Sequence, residues 1–167
     1  MSSVLIDDRV ALRSETPDDY EFLAAVYAST REEELRPVPW TEEQKLGFLR
    51  SQFDAQTAHY RNHYRNAEFW VIERDGERAG RLYLHYTPDD LRIVDIALAP
   101  AARGHGIGGT LLRRLLDDAA SKGCSVSIHV ERMNPAMRLY QRLGFQKIDE
   151  HGIYDLMSWT SGGEPQR

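Results

Sequence analysis

The chain has 167 residues, 41% of them hydrophobic and 28% charged, and a formal net charge of −5. That is the length of one domain able to bury a full core, with the composition of an ordinary soluble globular protein. The acidic balance argues against a non-specific nucleic-acid binder, which relies on basic surface, and suits a cationic or neutral substrate. Cys124 is the sole cysteine, so no internal disulfide can form, and a reducing cytoplasm is the simplest setting. Residues 1–8 have neither the basic start nor the apolar core of a signal peptide, and no apolar run reaches membrane-spanning length.

Val10 to Arg13 can form a short edge strand. Thr16-Pro-Asp-Asp19 then reads as an N-cap, a proline at the first helical position and two acids at the positive dipole end. The helix that follows places Phe22, Leu23, Val26 and Tyr27 on one side, and Pro37 and Pro39 break any continuation. Thr41-Glu-Glu-Gln44 matches a capping box opening a second helix, with Leu46, Leu49 and Phe53 spaced to face a core. That helix runs on, or restarts, through His59 to Tyr64. His59 and His63 have the spacing of a zinc pair on a helix face, but no acid lies between them in the HExxH manner and no third ligand is evident, so no metal is expected.

Glu68 to Arg74 reads as a buried strand, Asp75-Gly76 as a hairpin turn, and Arg78 to Tyr86 as the returning partner. Thr87-Pro-Asp-Asp90 turns the chain into a central strand, Ile93 to Leu98, which is apolar apart from Asp95 and ends before Pro100. Arg103 and four glycines, Gly104, Gly106, Gly108 and Gly109, come next. Glycine lets backbone amides point inward with no Cβ in the way, and a helix start adds free N–H groups and a positive dipole end. Such a loop suits a phosphate.

Two readings of this loop weaken on inspection. Gly104 and Gly109 have Walker A spacing, but Thr110 stands where the lysine is needed. Gly104-His-Gly106-Ile-Gly-Gly109 matches the dinucleotide fingerprint literally, and Glu131 lies near the place of the ribose-binding acid. However, Pro100-Ala-Ala-Arg103 separates strand from glycines, and too little chain follows for the further βα units that fold requires.

Ile107, Leu111, Leu112, Leu115, Leu116, Ala119 and Ala120 make the apolar stripe of a helix stopped by Gly123. Ser125 to Glu131 alternates, with Val126, Ile128 and Val130 opposite Ser127, His129 and Glu131, and implies a parallel crossover. Asn134-Pro135 caps another helix, whose Ala136, Leu139, Tyr140 and Leu143 share a face and which Gly144 ends. Phe145 to His151 and Ile153 to Trp159 form a closing hairpin, and 161–167 reads as a disordered tail.

Arg103-x-x-Gly106-x-Gly108 after a strand ending in Pro100, followed by Leu139-Tyr140-x-x-Leu143-Gly144-Phe145, resembles the GNAT superfamily of acetyl-CoA-dependent N-acetyltransferases. The resemblance is strong from Ile93 to Trp159; before that it extends only to the order of elements. It implies a mixed α/β (α+β) GNAT fold, a central mixed sheet of about seven strands flanked by about four helices. It also implies one domain over residues 1–160.

The resemblance further implies that Arg103, Gly104, His105, Gly106, Ile107 and Gly108 hold the coenzyme A pyrophosphate on backbone amides. Ile96, Ala97 and Leu98 would lie on a bulged strand whose free amides bind the pantetheine arm and the thioester carbonyl. Tyr140 would be the general acid for the departing thiolate, since a phenol with an unperturbed pKa of about 10 is protonated at neutral pH. Asn134 stands one residue from the family's cofactor-touching Asn, where this chain has Met133, and is read both as a cofactor contact and as the helix cap, since one side chain can cap while lying near the ligand. His129 is the favoured general base, with Glu131 and Asp95 as other polar groups in the strands and a water chain as the alternative.

Cys124 lies at a helix–strand junction, so the implied route is direct attack by a primary amine, of a small molecule or peptide, in a ternary complex. Glu32 to Glu34, with Tyr27 and Trp40, could select a cationic amine. The alternative class is a non-catalytic acyl-CoA-binding sensor, which would have no use for Tyr140 as an acid. Dimerisation is common in the family, and homodimer or monomer is left open.

Overall fold

The computed structural model describes residues 3–162. In chain order it has β1 (Ser3–Leu5), β2 (Val10–Ser14), α1 (Tyr20–Leu35), α2 (Glu42–His63), β3 (Glu68–Arg74), β4 (Glu77–Tyr86) and β5 (Asp90–Leu98). There follow α3 (Ile107–Lys122), β6 (Ser125–Glu131), α4 (Met137–Arg142), β7 (Gln146–His151) and β8 (Tyr154–Trp159). The strands form an eight-stranded sheet in the order β1-β2-β3-β4-β5-β6-β8-β7. This is the mixed α/β architecture expected, with one strand more. The extra strand is β1, whose three residues pair antiparallel with β2 from Ser3↔Arg13 to Leu5↔Ala11. Three residues are too few for a period to show. Asp7 makes the turn, its Oδ1 accepting from the N–H groups of Arg9 (2.8 Å) and Val10 (2.7 Å).

The chain forms two compact units: residues up to Tyr83 together with Asp95–His105, and Leu84–Val94 together with the residues from Gly106 on. In the first unit, β2 pairs antiparallel with β3, Val10↔Arg74 to Ser14↔Trp70. Val71, Ile72, Leu82 and Tyr83 are fully buried. Helices α1 and α2 pack through Leu23, Ala24, Tyr27, Leu49 and Phe53. The capping box at Thr41 is present, and α2 is one continuous helix rather than a restarted one. Leu46, expected in the core, is 56% exposed, because the packed face of α2 starts a turn later at Leu49. Asp19 is not a solvent-facing dipole acid. It is buried and accepts both terminal nitrogens of Arg13 (2.9 and 3.0 Å) and the Thr16 N–H (2.8 Å). The Arg13 guanidinium therefore holds its carboxyl below the usual carboxylate range.

In the second unit, α3 buries Ile107, Leu111, Leu112, Leu115, Leu116 and Ala119, leaving Ala120 exposed at the margin of the predicted stripe. Gly123 ends it at φ 70°. Strand β6 pairs parallel with β5 over Asp90↔Ser125 to Ile93↔Ile128, as the crossover argument requires. β8 lies against β6 in antiparallel register, Val126↔Trp159 to Glu131↔Tyr154, and β7 takes the edge. A register shift between Lys147 and Asp149 bulges that edge strand, and its charged side chains discourage further pairing. The tail expected to be disordered lies outside the described residues from 163 on.

Central strand β5 departs from the sequence reading. Leu91 and Ile93 are buried, but the apolar residues Val94, Ile96, Ala97 and Leu98 are only half-buried. The parallel ladder with β6 stops at Ile93, and the remaining residues of β5 continue without that neighbour.

Candidate active site

The first unit carries Ile96, Ala97 and Leu98 at the end of β5, then a single 3₁₀ turn (Pro100–Ala102) and Arg103 to His105. Ala99 N–H donates to Ala79 O on β4 at 2.8 Å. Arg103 is a brace rather than a projecting cation. Its N–H donates to Pro100 O (3.3 Å), its Nε to Leu98 O (3.1 Å) and its Nη2 to Ser29 Oγ on α1 (3.0 Å). The guanidinium thus ties the strand end and α1 to the residue that opens the glycine loop.

Gly104 and Gly106 both sit at φ 77°, where an L side chain is strained, and a Cβ on either would meet open space. The backbone alone demands glycine there, and the open space lets a ligand reach the amides. Gly106 is the N-cap of α3, and Thr110 N–H closes the first turn onto Gly106 O at 3.0 Å. The N–H groups of Ile107, Gly108 and Gly109 therefore precede the helix's own ladder. Ile107 is buried and anchors the helix start, while Gly104, His105 and Gly106 are exposed. This is a fit for an anionic phosphate: positive-φ glycines, no Cβ in the approach, and a helix dipole of 16 residues behind it.

Tyr140 is buried on α4, 5% exposed, and its ring meets Phe145 edge-on at 5.6 Å. The Leu143-Gly144-Phe145 turn folds back so that Phe145 N–H donates to Tyr140 O at 3.0 Å. Asn134 is not the helix N-cap: α4 begins at Met137, and Asn134 Oδ1 instead accepts from Ala136 N–H (2.9 Å) while Asn134 O accepts from Met137 N–H (3.0 Å). An Asx turn delays the helix beyond Pro135. The side-chain oxygen is thereby engaged, and the residue is exposed.

His129 is exposed on β6, beside the ring of His151 at 5.3 Å, with Arg92 Nη1 at 3.4 Å from its Nδ1. Partial desolvation, then the charges of Arg92 and His151, hold the imidazole below its ordinary pKa, so it is neutral at physiological pH. Its expected companion Ser127 is buried, receiving Arg92 Nε (2.7 Å) and donating to Asp90 Oδ2 (2.5 Å). Glu131 is half-buried at the end of the same strand.

Sequence reasoning missed three groups. Gly80 is buried inside β4, and glycine in a strand interior is the recognised sign of a close backbone approach. Arg81, 2% exposed, donates Nη2 to Gln56 Oε1 (2.5 Å) and to Asp95 Oδ2, and its guanidinium lies over the rings of Tyr83 (4.9 Å) and Phe53 (5.3 Å). Arg92, on β5, reaches both Ser127 Oγ and the His129 ring. Asp95, weighed as a base, is committed to Arg81. The helical pair His59 and His63 stacks ring on ring at 5.2 Å rather than converging on a point. Among the described residues no group of three metal-ligating side chains gathers, and no helix is long and apolar enough to cross a membrane.

The model of the Acetyltransferase (GNAT) family matches residues 24–145, and the chain belongs to that family. A Bacillus subtilis (strain 168) protein provisionally named as a ribosomal protein bS18-alanine N-acetyltransferase is 33% identical over 65% of this chain and 65% of its own length. Streptothricin acetyltransferase of Streptomyces lavendulae is 37% identical over 46% of this chain and 43% of its own length. The chain thus spans less than two thirds of either relative. Among solved structures, the PaiA N-acetyltransferase from Thermoplasma acidophilum in complex with coenzyme A superposes with a TM-score of 0.64, covering 90% of this chain and 98% of that one at 18% identity. At that identity the likeness is one of fold.

Proposed function

We propose that the protein is an N-acetyltransferase that moves an acetyl group from acetyl-CoA to a primary amine of a small molecule or peptide by direct attack in a ternary complex. The observation that carries the reading is the paired positive-φ glycines, Gly104 and Gly106, opening helix α3 in a chain of this family. Acetyl-CoA supplies the activated thioester. The amides from Gly104 to Gly108 hold its pyrophosphate, and Arg103 acts by bracing the loop from behind. Ile96 to Leu98 offer backbone groups to the pantetheine arm. Tyr140 delivers a proton to the leaving sulfur, and His129, neutral at working pH, takes one from the amine. The two relatives are named for acceptors as different as the alanine of a ribosomal protein and streptothricin, so what is common to them is acetyl transfer rather than one acceptor.

Calorimetric titration tests the cofactor. Acetyl-CoA is expected to bind in the micromolar range, with NADH silent, and binding should be lost in Gly106→Ile, where a β-branched side chain is forced to φ 77° and blocks the amides. Binding of NADH in place of acetyl-CoA would overturn the reading. The base is tested by pH. With His129 held neutral, the acid limb of kcat/KM should lie below the free imidazole value of about 6.5 and should flatten in His129→Gln. A limb unmoved by that substitution transfers the role to a water chain.

A further inference from the structure

We propose that Gly80 is a positioning residue for the thioester, acting through the Ala97–Leu98 peptide; this rests on the acetyl-CoA reading above. Gly80 is buried within β4, and a Cβ built on it would lie 2.1 Å from Ala97 O, 3.0 Å from Ala97 C and 3.0 Å from Leu98 Cα. All three are backbone atoms, which cannot swing aside as the end of a flexible side chain can. The oxygen is nearer than its carbon, so the Ala97 carbonyl is aimed at Gly80. Nothing larger than hydrogen on Gly80 is compatible with that direction.

The consequence falls on the other end of the same peptide. No peptide bond in the described chain is cis, and in a trans unit the N–H points opposite to the C=O. With the Ala97 carbonyl turned onto β4, the Leu98 N–H is turned away from β4. The ladder with β6 ended at Ile93, so that pairing does not consume it. Ala99 N–H on Ala79 O, at 2.8 Å, and Arg103 Nε on Leu98 O, at 3.1 Å, hold the peptide from the next residues. A donor fixed in direction before substrate arrives is what a developing oxyanion requires. Gly80 sets that direction without touching substrate.

The first test uses the unmodified protein. In two-dimensional amide NMR, acetyl-CoA should shift and protect the Leu98 N–H. Acetyl-CoA binding that leaves Leu98 unchanged defeats this inference alone, whereas no binding at all defeats the functional reading beneath it. Mutation supplies the second test. Gly80→Ala should weaken acetyl-CoA about tenfold, the worth of one hydrogen bond, and lower kcat about a hundredfold, the worth of one oxyanion donor. Ala97→Gly added to Gly80→Ala lets the peptide rotate out of the clash, so the melting temperature should recover while kcat stays low. Recovery of both together would reduce Gly80 to a packing role, and wild-type kinetics in Gly80→Ala would remove it from the mechanism.

Discussion

Tyr140→Phe is expected to lower kcat about a hundredfold or more, within the range a positioned general acid supplies, while the KM for acetyl-CoA changes little. The ring is the structural part of this residue. It is 5% exposed and packed edge-on against Phe145, and phenylalanine keeps both burial and ring contact. Loss of the hydroxyl should cost no more stability than one neutral hydrogen bond, about 0.5–1.5 kcal/mol. On the proposed role the substitution removes the proton source for the thiolate, so the loss belongs to the chemical step rather than to binding. A thiol-release assay run with a good amine acceptor separates the two parameters, and a melt checks the fold. An unchanged kcat would assign the ring to packing alone. Undetectable turnover in the unmodified protein with every amine offered, alongside tight acetyl-CoA binding, would favour an acyl-CoA sensor.

The parts of this protein legible in its sequence are those written in local chemistry. The Asp75-Gly76 hairpin, the Thr41 capping box, the α3 stripe and the glycine loop each rest on a few neighbouring residues whose conformational needs are specific. Asp75 and Gly76 do take positive φ, and Gln44 N–H does donate to Thr41 Oγ1 at 3.1 Å. Apart from the Asx turn at Asn134, the missed features depend on partners distant in sequence. Strand β1 exists because β2 is there to pair with it, and its three residues carry no period of their own. Val94, Ile96, Ala97 and Leu98 look like core and are only half-buried, since apolarity says what a residue tolerates and not how far its neighbour strand extends. Asn134 followed by proline reads as an N-cap, yet an Asx turn uses the same carboxamide to postpone the helix. Arg81 and Asp95 lie 14 residues apart on two strands, and nothing local marks either as the other's counter-ion. Gly80 was missed although it carries a local mark, a glycine inside a strand without a turn, because the backbone it accommodates at Ala97 is distant in sequence.

Asp95→Ala should destabilise the protein by about 3–5 kcal/mol, the cost of leaving a buried charge without its partner. Arg81 has a side-chain exposure of 3% and keeps its charge at any pH the fold survives. Its Nη2 serves both Gln56 and Asp95, and its Nη1 has no hydrogen-bond partner among the described residues. The faces of Tyr83 and Phe53 contribute cation–π attraction, but Asp95 is the only carboxylate in an ion pair with Arg81 among the described residues. For a chain of this length the expected loss is roughly 10 °C in melting temperature, measured most cleanly as a shift in urea midpoint at constant slope. Asp95→Asn should fall between the two, because the amide oxygen can still accept from Nη2 without neutralising it. Arg81→Met combined with Asp95→Ala should be more stable than Asp95→Ala alone: a stranded cation is worse than an apolar pair, and the cycle isolates the coupling. A cost below about 1 kcal/mol for Asp95→Ala would put the pair among solvent-screened surface bridges. Asp95 also immediately precedes Ile96 to Leu98, so the same substitution should loosen the strand end that Gly80 and Arg103 hold from either side. The charge pair and the donor geometry are then two properties of one short piece of backbone, and acetyl-CoA affinity should fall in step with stability across the Asp95 series.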